Sequence, residues 1–400
     1  MSTSLPTVRP APRTGTCPPG IVDAGVTSLF DMWSSAVRHS VDYWTGLVER
    51  GAGPMDVAAD LLEWSVVVAR REPPTWATPH TVVREWPVAR LRDFSPKRRR
   101  RAGTAATPVL VLPPQAGHDS CIVDYAHGQS QVATALGAGC ERVLSLDWVG
   151  ATEATKDEGV EAYLDVIRET VEELGGRVHL VGDCQGGWLA VIYTALHPDT
   201  VATLTIAGAP VDFHAGEPLI HDWIQLLSPN GRTDFYRALV AVGGGALPGD
   251  VLLNGFKAMQ PQGETDRQLG VLAHLHDPAY VERYARFENW FQHTQPIPGA
   301  FYLWIVEHLF QRNELVTGTL VVEGRVVDLG AITCPLYLLA GSSDHITPPP
   351  QVFALADFAA TPADDVTRMV VPGGHLGLFM GHESLDKHWK PVFEALAERG

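Results

Sequence analysis

The hexad Gly182-Asp183-Cys184-Gln185-Gly186-Gly187 stands between an apolar run, Val178 to Val181, and a helix-forming run, Trp188 to Tyr193. A strand that turns this sharply into a helix leaves one residue at its apex, the context of a nucleophile elbow, here with cysteine where serine is usual. The flanking glycines have a mechanical reason. Gly182 and Gly186, two residues to either side of Cys184, let backbone pass closely where a Cβ would clash. One cysteine of five is thereby singled out.

The chain around the hexad repeats its pattern. Short apolar runs alternate with helical segments: Val109 to Leu112, Val143 to Trp148, Val178 to Val181, Ala202 to Ile206, Leu336 to Ala340 and Arg368 to Val371. Near-continuous apolar strands separated by helices predict an α/β architecture, a mostly parallel central sheet with helices on both faces. Residues 108–211 and 316–400 are assigned to this core. Between them, over residues 212–315, the alternation stops and the chain becomes aromatic and irregular, which predicts an inserted helical cap or lid. Residues 1–20, rich in Pro, Thr and Ser, read as disordered. Residues 21–107 read as an N-terminal helical segment and linker: apolar residues recur at threes and fours from Leu29 to Val67, giving two amphipathic helices, and Pro73 to Thr107 leads into the core through strands and loops. The tryptophans of those helices, Trp33, Trp44 and Trp64, are expected to pack in the core rather than to serve a partner.

Composition excludes several classes. A net charge of −16 argues against a nucleic-acid partner. The basic run Lys97-Arg98-Arg99-Arg100-Arg101 is the exception, read as a solvated loop rather than a site for phosphate, an anionic cofactor or a membrane. Five cysteines, Cys17, Cys121, Cys140, Cys184 and Cys334, are odd in number and irregularly spaced, with no CxxC pair, so neither a disulfide framework nor a zinc site is indicated. The histidines show no ligand spacing, and no metal is expected. His274 and His276 read as cap packing or substrate contacts. No signal-like or membrane-spanning apolar run is present, so a cytoplasmic protein without a transmembrane segment is expected.

A thiol nucleophile needs a base, and the base needs a carboxylate to hold its tautomer. In the α/β-hydrolase arrangement both follow the nucleophile on loops after late strands, acid first. Asp344, in Gly341-Ser342-Ser343-Asp344-His345, and His375, in Gly373-Gly374-His375-Leu376-Gly377, stand at those places. Cys184 is therefore the candidate nucleophile, His375 the base and Asp344 its orienter. His345, next to the acid on one loop, reads as a packed or solvent-facing companion. For the oxyanion hole, the N–H of Gln185 and that of Gln115 or Ala116, on the loop after the first core strand, are the candidate donors. His118 on that loop is either a substrate contact or a loop cap. Asp183, Trp188 and His345 complete the candidate substrate-binding residues. A cysteine also bears on the chemistry: its acyl-thioester lies close in energy to an incoming acyl thioester, which favours acyl exchange without excluding hydrolysis.

From Val109 onward, about three quarters of the chain resembles the poly(3-hydroxyalkanoate) synthases. The likeness is carried by Pro113-Pro114 with Asp124, Ser130 and Val132, by Asp147-Trp148, by the hexad itself, and by Leu196-His197-Pro198-Asp199 and Pro210-Val211-Asp212-Phe213. It continues through Asn313-Glu314-Leu315, Gly318, Gly324 and Val327-Asp328-Leu329 to Asp344-His345-Ile346 and Gly373-Gly374-His375. The resemblance implies an α/β-hydrolase fold with a mobile cap, and a Cys184, Asp344 and His375 triad that takes a 3-hydroxyacyl group from acyl-CoA and passes it to a growing polyester. It implies acyl-CoA as substrate with no permanently bound cofactor, and a homodimer formed through the cap. Two departures stand out. The tryptophan-asparagine-aspartate stretch of the synthase cap is replaced by Glu288 to Gly299, and Gly377 to Gly381 with Trp389 is similar to intracellular polyester depolymerases.

Three functions follow as expectations. The first is acyl transfer from a thioester to an alcohol. The second is cysteine-dependent hydrolysis of a polyester, ester or thioester, and the third is a binding protein that keeps the fold without the chemistry.

Overall fold

The computed structural model describes residues 19–96, 106–216, 219–228, 231–259 and 261–399. The basic run at 97–101, Cys17 and most of the segment at 1–20 lie outside them.

Eight strands form the central sheet: β1 (Thr81–Glu85), β2 (Ala89–Asp93), β3 (Val109–Leu112), β4 (Val143–Trp148), β5 (Val178–Asp183), β6 (Val201–Ala207), β7 (Leu336–Gly341) and β8 (Val366–Val371). Their order is β1-β2-β4-β3-β5-β6-β7-β8, with β2 antiparallel to both neighbours and the rest parallel. The central strands β3 to β7 are buried almost throughout because both faces are covered. Alternate residues go to opposite faces: Leu110 and Leu112 pack with Tyr163, Ile167 and Val191 of α3 (Val160–Glu173) and α4 (Gln185–Leu196), whereas Val109 and Val111 pack with Phe379, Trp389 and Phe393. Each such side chain contributes about 1.5–3 kcal/mol by burial.

The core does not begin at residue 108. β1 and β2 extend the sheet at one edge, so the C-terminal part of the segment assigned as linker is sheet. The pairing of β2 to β4, Leu91 opposite Leu146, is what draws it in. The two N-terminal helices, α1 (Pro19–Arg50) and α2 (Pro54–Ala69), are present, but the tryptophans of α1 are not core residues, Trp33 being 64% and Trp44 58% exposed, whereas Trp64 of α2 is half-buried. The opposite face of α1 is the one that packs.

Among the described residues, a series of helices follows β6 before β7 begins: α5 (Leu219–Leu227), α6 (Asp234–Val242), α7 (Gly249–Met259), α8 (Pro261–Ala273), α9 (Pro278–Phe291), α10 (Gly299–Trp304) running into a π-turn at Ile305–Gln311, and a single turn at Glu314–Thr317. They cover the carboxyl ends of the strands. Ser35, Arg38 and His39 of α1 converge on Asp266 of α8, and Trp64 of α2 donates to the Gln268 carbonyl at 2.8 Å. His276, after α8, meets Asp60 of α2 at 3.0 Å, and His274 stacks on Tyr280. Both histidines therefore serve packing and docking. Among the described residues no helix is long and apolar enough to cross a membrane.

Candidate active site

The turn after β5 is as tight as its glycines suggest. Cys184 has φ 48 and ψ −115, a left-handed conformation that a non-glycine residue rarely adopts, and it leads directly into α4. Its N–H donates to the Ala207 carbonyl at 2.9 Å, which ties the apex to β6. A Cβ on Gly186 would lie 2.0 Å from the Leu112 carbonyl oxygen, and one on Gly187 2.2 Å from Ala209. The helix can approach β3 only because those atoms are missing.

Cys184 is partly accessible, unlike Cys121 and Cys140, which are buried. Burial pushes the thiols of Cys140 and Cys334 up to about 11 and raises that of Cys121 further. Those three behave as apolar packing groups.

Asp344 and His375 come to the thiol from the ends of β7 and β8. His375 Nδ1 donates to Asp344 Oδ2 at 2.7 Å, and Cys184 and the same ring line one cavity, the thiol close enough to act on the imidazole. Asp344 Oδ1 accepts from the N–H of Ile346 and of Thr347, each at 2.9 Å, so its own loop fixes it. Burial would raise the carboxyl, but His375 and those backbone donors outweigh it and hold it below the usual range. Burial would likewise lower His375; Asp344 and Cys184 outweigh it and push the imidazole up to about 10. The ring packs edge-on against Phe379 at 5.0 Å.

Two cavities meet at the thiol. One, of about 390 Å³, is lined by His118, Asp119, Lys257, Arg267, His345 and His375 among others. The second, of about 340 Å³, runs under the cap past Trp188, Phe213 and Trp223. Cys184, Ala116, Phe256 and Ile346 line both.

The other candidates divide. Ala116 faces the cavities, while Gln115 is buried and turns its amide to the Tyr163 hydroxyl at 3.2 Å. Gln185 and Trp188 line the second cavity and His345 the first. His118 is both a wall and a latch: it stacks on Trp290 at 4.9 Å and Phe291 at 5.5 Å, and its Nε2 meets the Phe291 carbonyl at 3.1 Å. Burial lowers its pKa to about 4. Asp183 is not a substrate contact. Its side chain points away from both cavities and is fully buried, with no hydrogen-bond partner for either oxygen, and burial pushes it up to about 8 against weaker opposing effects of Gln131 and His375. The alternation of β5 decides this: residue 183 still belongs to the strand and faces the core, and only residue 184 has left it.

The cap residues Phe256, Lys257, Arg267, Phe287 and Trp290 were not singled out by sequence. They stand on α7, α8 and α9, and their only signal is an aromatic, amphipathic segment of cap. Among the described residues no group of His, Cys, Asp or Glu is arranged to hold a metal ion.

A mostly parallel eight-stranded sheet, a strained cysteine turn after its fifth strand, and acid and histidine loops after its last two strands define a protein of the α/β-hydrolase fold. Within that class the chain belongs to the family described as protein of unknown function (DUF3141), whose model matches residues 85–390. It is similar to the poly(3-hydroxyalkanoate) polymerase subunit PhaC of Allochromatium vinosum, 29% identical over 285 residues covering 70% of this chain and 77% of that protein. The corresponding subunit of Haloferax mediterranei is 28% identical over 70% of this chain, which spans 56% of its length. Among solved structures, a monoacylglycerol lipase of Paleococcus ferrophilus aligns with 74% of this chain and 97% of its own at 17% identity and TM-score 0.47. The thioesterase domain of the curacin biosynthetic pathway aligns with 80% of this chain and 99% of its own at 14% identity and TM-score 0.43.

Proposed function

We propose that this protein is an acyl-transfer enzyme that carries the acyl group on Cys184 and hands it to an alcohol. The observation that supports this best is the run of contacts from Asp344 through His375 to the Cys184 thiol, at the meeting point of two cavities. The likeness to the polymerase subunits supports an acyl thioester as donor.

In this reading His375 takes the thiol proton and Sγ attacks the thioester carbonyl. The carbonyl oxygen, now negative, is held by the N–H groups of Gln185 and Ala116. The bond to the leaving thiol breaks, and that thiol receives the proton from His375. His375 then takes the proton of the acceptor hydroxyl, whose oxygen attacks the acyl-cysteine; the Cys184 sulfur leaves and regains a proton from His375. Asp344 keeps the ring oriented and favours its charged form in both halves. Pairing of two copies through the cap belongs to the same proposal, tested by sedimentation of the purified chain.

The purified protein given 3-hydroxybutyryl-CoA should release CoA and form oligoester. CoA release with only free acid formed would mean that water is the acceptor. Cys184→Ala and Asp344→Asn should each lower kcat/KM by about a thousandfold or more. Undiminished turnover in Cys184→Ala would overturn the assignment of the nucleophile.

A further inference from the structure

The second cavity has a wall that the chemistry above does not use. Among the described residues its lining holds no Asp, Glu, Lys, Arg or His; from the thiol it passes Trp188, Phe213, Ile224, Leu239 and Phe310. Of the few polar side chains on that wall, Gln351 donates to the Phe213 carbonyl at 2.9 Å, whereas Gln185 Oε1 and the Tyr236 hydroxyl are buried without a hydrogen-bond partner. The π-turn at Ile305–Gln311 supplies Ile305, Val306 and Phe310 to it. Such turns are frequent at functional sites.

A largely apolar void of this size costs stability, because its lining atoms lack partners. Apolar cavities of even half the volume take up hydrocarbon ligands. The neighbouring cavity also has aromatic walls, but Lys257, Arg267, Asp119 and three histidines line it as well. A molecule attached at Cys184 therefore meets an apolar space on one side and, on the other, a space that carries charged side chains.

We propose that the second cavity is an acyl-tail site, and that the substrates of this enzyme carry a long unbranched hydrocarbon chain, with the leaving group or acceptor in the cavity that holds Asp119, Lys257 and Arg267. At about 30 Å³ for each small group, the share of one water in the liquid, about 340 Å³ holds a chain on the order of ten carbons. The specificity-determining residues are those that close its walls, Val251 of α7 and Val306 of the π-turn among them. This inference rests on Cys184 as the acyl carrier only for the chemistry; the tail site itself exists without it.

The test separates the two. Straight-chain fatty acids of four to fourteen carbons, titrated calorimetrically into the full chain, should bind about fourfold more tightly for each added methylene, levelling off near ten carbons. Val251→Phe and Val306→Phe, made separately, should move that plateau to shorter chains. Acyl-CoA thioesters of the same lengths should give a parallel ladder in kcat/KM. Binding that ladders without turnover would leave the tail site standing and sink the acyl-transfer reading. Affinity independent of chain length, or a ladder that neither variant shifts, would overturn the tail site; if both variants fail to fold, the ladder of the unmodified chain decides.

Discussion

Asp183 and Cys184 are neighbours with opposite fates, and one strand register separates them. Asp183 keeps the inward orientation of β5 and is sealed in the core, whereas Cys184 is thrown into the left-handed turn and reaches the cavities. Raised to about 8 from an unfolded value near 3.9, the Asp183 carboxyl keeps a proton in the folded chain that the unfolded chain has lost. Stability therefore falls as pH rises through that window. Chemical denaturation should show the protein losing about 1–3 kcal/mol between pH 5 and pH 8, and Asp183→Asn should remove most of that loss. Identical pH slopes for the two proteins would mean that the carboxyl is ionised and paired. The candidate residues Cys184, Asp344 and His375 were legible in the sequence because each sits just after an apolar strand. The orientation of Asp183 was not, since a motif gives residue identity but not the point at which the strand lets go.

At the scale of elements, the junction of β5, α4 and β3 is limited by backbone clearance. Gly186 passes against the Leu112 carbonyl at a distance no side chain can enter, and backbone cannot yield as a flexible side chain does. Gly186→Ala should cost about 3 kcal/mol or more, read as a lowered denaturant midpoint or loss of soluble protein. A variant of unchanged midpoint would show that α4 can lift off the sheet. The strands β3 to β8 could be read from their apolar runs, as could α1 and α2 from their period. β1 and β2 could not be assigned to the sheet in the same way, because Thr81–Glu85 holds only two apolar residues and Ala89–Asp93 alternates them with arginines, and they gain their place through the pairing of β2 with β4. The exposed tryptophans of α1 failed for a related reason. A helix apolar on two sides does not state which side finds a partner first, and here Asp266 of α8 fixed the choice.

For the whole molecule, backbone, side-chain and ring contacts tie the cap to the core. Gln295 N–H donates to the Gly117 carbonyl at 2.8 Å and Trp290 Nε1 to the Asp119 carbonyl at 2.9 Å, while His118 stacks between the two parts. Because burial lowers His118 to about 4 from an unfolded value near 6.5, the folded chain keeps it neutral while the unfolded chain takes up a proton. Its contribution is complete above about pH 6.5 and is lost as the pH falls towards 4. His118→Phe should flatten the acid limb of the stability profile by about 1–3 kcal/mol relative to the parent, and hydrogen exchange should show the cap closed at pH 5 in the variant. An unchanged acid limb would remove His118 from the latch. By itself the sequence determined the alternating strands, the cysteine turn and the places of acid and base, because each depends on residues adjacent in the chain and on backbone geometry that only certain residues tolerate. Tertiary structure alone decided the two cavities at Cys184, their contrasting walls and the seat of the N-terminal helices on the cap. These arise from contacts between segments far apart in sequence, where the pattern of one segment carries no record of the other.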